Sequence, residues 1–145
     1  MPIVEHPFIA VDYGGPVRPF LPIRITNPDT GKNLITWGLI DAGADECAIP
    51  AKFASVLGHN LDSGTEKQIR TSGGLKVAYA HTSRIEIFEV ENQEISDTVA
   101  HTINDTPIDF MPDLRFCLLG VRSFLSNFIL TIDYQRQVFS IRRPK

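Results

Sequence analysis

Short apolar runs alternate along this chain with clusters of Gly, Pro, Asn and Asp, and within most runs the apolar positions repeat every second residue. In Phe20–Thr26, Ile23 and Ile25 share one face while Arg24 and Thr26 share the other, the pattern of a β-strand. Asn27-Pro28-Asp29-Thr30-Gly31 is a strong turn signal, and residues 34–40 return as a second strand, so the two predict a hairpin. Residues 65–90 hold two strand-like stretches around Thr71-Ser72-Gly73-Gly74, a sequence suited to a tight turn. Beyond that turn Leu75, Val77 and Tyr79 alternate, and Ile85 and Ile87 keep the same parity. Residues 95–103, 116–119, 129–133 and 138–142 complete the predicted strands, with 116–119 apolar enough to be buried on both faces. Residues 3–12 alternate more loosely, are interrupted by Pro7, and run into a Gly14-Gly15-Pro16 turn.

The helical period predicts two short helices. In residues 50–57 Pro50 suits the first helical position, Phe53, Val56 and Leu57 share a face, and Gly58 supplies the stop. Val121, Phe124, Leu125 and Phe128 fall at i, i+3, i+4 and i+7. Each predicted helix follows an apolar strand and a glycine, which suggests a weak internal duplication. The predicted class is therefore all-β, a closed and mainly antiparallel barrel with one or two short helices.

Composition narrows the picture. The 145 residues are 43% hydrophobic and 21% charged, a globular balance that excludes disorder, collagen and coiled coil. The length suits a single domain spanning 1–145, whose core can bury roughly 70% of the surface its unfolded chain exposes. A net charge of −3 argues against a nucleic-acid partner, and the basic cluster Arg136, Arg142, Arg143 and Lys145 reads as a solvated tail. No apolar run approaches the ~20 residues of a membrane-spanning helix, and no leader pattern opens the chain. Cys47 and Cys117 read as reduced core residues of a cytoplasmic or intracellular protein, and neither has metal-ligand spacing. No cofactor fingerprint occurs; His6, His59, His81 and His101 are dispersed and read as structural or surface residues, and Trp37 as a core residue.

Three Asp-x-Gly triplets compete for a chemical role. Asp29 and Asp62 lie in polar turn or loop sequences, where Asp and Gly serve backbone geometry. Asp41 alone ends an apolar strand and is followed by small residues, which places a carboxylate on a rigid element at the edge of a core. Cys47 is near enough in sequence to be weighed as a nucleophile, but no signature supports it.

The run Leu39-Ile40-Asp41-Ala42-Gly43-Ala44-Asp45-Glu46-Cys47-Ala48-Ile49-Pro50 resembles the active-site segment of retropepsin-like aspartic proteases. Leu118-Leu119-Gly120-Val121-Arg122-Ser123-Phe124-Leu125 and Phe128 to Tyr134 resemble the second structural repeat of that family, and the Gly73-Gly74 hairpin falls where the family has its flap. The resemblance implies peptide hydrolysis by a water held between two carboxylates that share a proton, one acting as general base and the other as general acid. It implies Asp41 as the catalytic residue. It further implies substrate contacts from Gly43, Ala44 and Asp45 in the active-site loop and from Ser72, Gly73 and Gly74 in the flap.

Two positions depart from the family pattern. Ala42 stands where relatives carry Thr or Ser, whose hydroxyl ties the two catalytic loops together; the missing bond is worth about 0.5–1.5 kcal/mol. Relatives carry Arg directly after the distal glycine, whereas here Val121 follows Gly120 and Arg122 comes next, which leaves the partner of Asp45 open. The distal repeat has Leu119-Gly120 where a second aspartate loop would stand. The resemblance therefore implies a homodimer with an Asp41 from each copy and a polypeptide as substrate. Two other readings stay open: an inactive member of the same fold serving as a peptide-binding or dimerisation module, and an unrelated small β barrel.

Overall fold

The structure, a computed structural model, describes residues 2–92 and 94–145. Among these it contains β1 (Ile3–Pro7), β2 (Phe20–Thr26), β3 (Asn33–Ile40), β4 (Cys47–Pro50), β5 (Thr65–Thr71), β6 (Gly74–Glu91), β7 (Glu94–Met111), β8 (Cys117–Leu119), β9 (Ile129–Asp133) and β10 (Val138–Arg142). The large sheet runs β2-β3-β8-β4-β7-β6-β5. Pairing of β2 with β6 closes its first six strands into a barrel, and β5 projects outside as the partner of β6. A barrel closed this way leaves few free strand edges. Most pairs are antiparallel; β3–β8 and β4–β7 are parallel.

The alternation of β2 explains the closure. Ile23 and Ile25 are fully buried in the barrel interior. On the opposite face Arg24 lies directly across from Glu86 of β6, giving Nε to Oε1 at 3.1 Å and Nη2 to Oε2 at 2.6 Å. Thr26 adds a hydroxyl to the same carboxylate at 3.3 Å. β6 serves two partners in turn, β5 over its first part and β2 further along, and the irregularities between Ser83 and Val90 bend it from one to the other. Ile49, Ile85, Ile87, Phe110 and Phe124 fill the core with the β2 isoleucines.

A second sheet, β1-β10-β9, brings the two ends of the chain together. Ile3 faces Ile141, and both are fully buried. The predicted strand at 3–12 is broken after Pro7 and resumes only as a bridge between Ile9 and Arg18.

The two predicted helices are shorter and tighter than their spacing suggests. Pro50 remains extended and pairs with Met111 in β4–β7, so the first helical turn is a 3₁₀ turn over Ala51–Phe53. Val56, expected on the buried face, is 51% exposed, while Leu57 is buried and Gly58 ends the segment at φ +74°. The second is a turn followed by a 3₁₀ turn at Leu125–Asn127. There Ser126 Oγ donates to the Arg122 carbonyl, and Asn127 Nδ2 donates to the Ser123 and Phe124 carbonyls. Side chains that bond nearby carbonyls compete with a regular helix ladder.

One other expectation is corrected. Trp37 is half-buried in an outer groove with Phe88 and Ile95 rather than in the core. Arg136 and Arg143 are exposed but tied down: Arg136 bonds Asp133 and Glu5, and Arg143 donates to the Ala100 carbonyl. Among the described residues no helix is long and apolar enough to cross a membrane.

Candidate active site

β3 and β8, the strands that lead into the two resembling segments, lie side by side in parallel register, with Leu39 opposite Leu118 and Ile40 opposite Leu119. The chain leaves both at the same level, so the Asp41 loop and the Gly120 loop emerge together. The Asp41 N–H donates to the Leu119 carbonyl at 3.2 Å. The Val121 and Arg122 N–H groups donate to the Ala44 and Asp45 carbonyls at 2.9 and 2.8 Å. The Gly120 backbone rests against Ala44 and Glu46, where a Cβ would collide.

Within the loop, the Asp41 carboxylate accepts the Gly43 N–H at 2.9 Å, and the Ala44 N–H returns to the Asp41 carbonyl at 3.1 Å. This turn fixes the carboxylate while leaving it half-exposed; Ala42 and Gly43 are exposed beside it. Glu46, rather than Asp45, is the side-chain partner of Arg122. Arg122 Nη1 lies 3.4 Å from Glu46 Oε1, and Ser123 Oγ donates to Oε2 at 2.9 Å. The Arg122 side chain thus goes to Glu46, and Asp45 meets Arg122 only through its backbone.

The β5–β6 hairpin faces this loop across a cleft of about 790 Å³. Its turn is Ser72-Gly73, with Thr71 Oγ1 donating to the Gly74 carbonyl at 2.9 Å and Gly74 at φ +104°. Asp41, Gly43, Ala44, Asp45 and Ser72 line the cleft; Gly73 and Gly74 sit at the hairpin turn outside its lining. The floor is apolar, built by Ala48, Ile69, Met111, Leu114 and Leu118, with Ala78 buried in the same cluster.

The cleft also contains Lys67 and Asp109, which the sequence reading passed over. Lys67 Nζ lies 3.0 Å from Asp109 Oδ1. Burial raises the Asp109 carboxyl pKa, and the hydrogen bond from Lys67 opposes that rise. The signal was available: Asp109 interrupts the apolar run Pro107-Ile108-Asp109-Phe110-Met111. Cys47 is fully buried and burial pushes its thiol up to about 11, which leaves it protonated at neutral pH and a poor nucleophile.

The solved structure of a retropepsin-like aspartic protease from Rickettsia conorii aligns with this chain at a TM-score of 0.62, covering 96% of this chain and 98% of that one. The chain has the retropepsin-like fold. Sequence identity over the alignment is 18%, and no family model or curated protein matches the sequence. The likeness spans nearly the whole of both chains rather than one local segment.

Proposed function

We propose that the chain is a homodimeric aspartic endopeptidase in which Asp41 of each copy contributes one carboxylate to a shared dyad. The observation that carries this reading is the placement of Asp41. It is a half-exposed carboxylate on a backbone-anchored loop, at the mouth of a cleft roofed by a hairpin, within a retropepsin-like fold. Two carboxylates at close range cannot both ionise readily, so one holds a proton while the other activates water. The attacking water gives its proton to the ionised carboxylate as its oxygen bonds to the scissile carbonyl carbon. The protonated carboxyl gives its proton to the departing amine as the C–N bond breaks. The hairpin at Ser72 and Gly73 acts as a flap over an extended polypeptide, excluding water from the reaction.

One chain supplies one such loop, so activity requires association. The small sheet β1-β10-β9 supports that reading, because β1 and β9 are its outer strands and, among the described residues, pair in it only with β10. Cleavage of an unfolded polypeptide at mildly acidic pH, with and without a statine-type inhibitor, tests the assignment. Asp41→Asn abolishes inhibitor-sensitive cleavage; cleavage that survives the substitution refutes the assignment.

Ala42 favours a second reading, an inactive module that uses the cleft for peptide binding or dimerisation. No cleavage by the chain as it stands, with cleavage gained on Ala42→Thr, identifies that case.

A further inference from the structure

Lys67 and Asp109 stand on the same face of the sheet, on strands that are not neighbours. Lys67 lies opposite Ala78 in the β5–β6 pairing, and Asp109 opposite Ala80 in the β6–β7 pairing. One whole strand separates them, a span of roughly 10 Å at ordinary strand spacing. The alanines on the intervening strand leave room for the four-carbon stem of lysine to cross it. The result is an ion pair set into a cleft wall. The carboxylate side chain is 4% exposed and the ammonium side chain 38%. Ala48 sits beside Asp109 in the β4–β7 register, and Met111, Ile69 and Leu118 continue the apolar surround. Among the described residues the hydrogen bonds bring no second donor to the Asp109 carboxylate, so Oδ2 keeps its acceptor capacity. The lysine ammonium has three N–H groups and spends one here.

We propose that this pair determines specificity by taking a primary carboxamide side chain, Asn or Gln, from a bound polypeptide. The inference rests on the reading of the cleft as a polypeptide site. A carboxamide is neutral and both donates and accepts. Its NH₂ reaches Asp109 Oδ2 and its carbonyl oxygen accepts from Lys67 Nζ, with the ion pair left intact. A guest carboxylate would draw Lys67 away and strand a charge in an apolar wall. A guest cation would crowd a second positive charge beside Lys67. An aliphatic guest would strip water from both charges and return no hydrogen bond, and buried polar groups left unpaired are what make such sites selective.

A positional peptide library carrying Gln, Asn, Leu, Lys or Glu at each site tests this in two assays. One is cleavage by the full chain; the other is binding of the same peptides made uncleavable by a reduced amide bond. At one position Gln or Asn is preferred over Leu by about ten- to hundredfold in both. Lys67→Met leaves the acid alone and turns the preference at that position to Lys or Arg. The double variant Lys67→Met with Asp109→Leu removes both charges together and turns it to Leu or Met, with a thermal melt checking that the fold is kept. Carboxamide-selective binding without any cleavage supports the subsite and removes the protease reading. Binding or cleavage with no carboxamide preference, or a preference unmoved by Lys67→Met, overturns the subsite and leaves the protease reading standing. A library in which no peptide is bound or cleaved overturns both.

Discussion

Gly120 packs its backbone against the carbonyl oxygen of Ala44, so closely that a Cβ built on it would lie 2.9 Å from that oxygen and nearer still to the Glu46 carbonyl. The obstacle is backbone, held by the Val121 N–H to Ala44 bond, and cannot swing aside as a flexible side chain would. Gly120→Ala therefore separates the two loops. The expected loss is about 1–3 kcal/mol or more of unfolding free energy, measured by urea titration, with a larger proportional loss of any cleavage.

Ala42 is exposed, so its effects on stability and on rate come apart. Ala42→Thr changes unfolding free energy by no more than about 0.5 kcal/mol, as expected for a surface position. On the dyad reading the same substitution raises the cleavage rate, because the added hydroxyl can tie the two copies of the loop. Equal rates for both variants in a steady-state assay count against that role for residue 42.

The Arg24–Glu86 pair links the two strands that close the barrel. Hydrogen bonding from Arg24 is the main cause that holds the Glu86 carboxyl below its ordinary value of 4.5. A lowered carboxylate stabilises the fold above its unfolded pKa, and that stability disappears as pH falls through the lower folded value. Glu86→Gln accordingly costs about 1–3 kcal/mol at pH 7. Its deficit relative to the parent chain narrows below about pH 4.5, which parallel denaturation curves at pH 7 and pH 3 would reveal.

Histidine titration sets a separate window. His6, His59 and His101 all have pKa values lowered from 6.5, in each case chiefly by burial. His59 is lowered further by the positive form of His81, whose ring centroid is 4.4 Å away, while Asp29 pulls in the opposite direction. Neutral imidazoles are favoured in the fold, so their contribution is present above about pH 6.5 and is lost as pH falls through the lower folded values. Asp109 runs the other way: its raised pKa gives stability at low pH that fades as pH rises. Melting temperature should drop between pH 7.5 and pH 5.5, and His6→Gln should flatten that slope. A flat profile in the parent chain contradicts the histidine account.

The strands and turns were legible because they depend on local chemistry. Ile23 and Ile25 alternate with Arg24 and Thr26, and the Asn27-to-Gly31 turn closes on itself through the Gly31 N–H to the Asn27 carbonyl. The helical turns were misjudged because spacing alone does not register competition. Pro50 is claimed by Met111 across a strand pair, and Ser126 and Asn127 divert carbonyls that a helix would use. Asp41 could be chosen from three Asp-x-Gly triplets by its apolar approach strand. Lys67 and Asp109 could not be joined to each other, since their meeting depends on register across three strands and on two alanines that make no local pattern, and the pairing of Glu46 with Arg122 and Ser123 depends on two distant loops emerging side by side.

The pairing of β1 with β10 bears on how the fold is reached. Ile3 and Ile141 come from opposite ends of the described chain, yet both belong to the main core. Contacts so distant in sequence return no energy until almost the whole chain has been gathered, so loop-closure entropy is spent before they help. The hairpins β2–β3 and β5–β6 can form early from neighbouring residues, whereas the β1–β10 seam must wait. Destabilising substitutions in that seam should therefore accelerate unfolding far more than they slow folding, leaving the barrel to assemble at nearly its usual speed and open sooner.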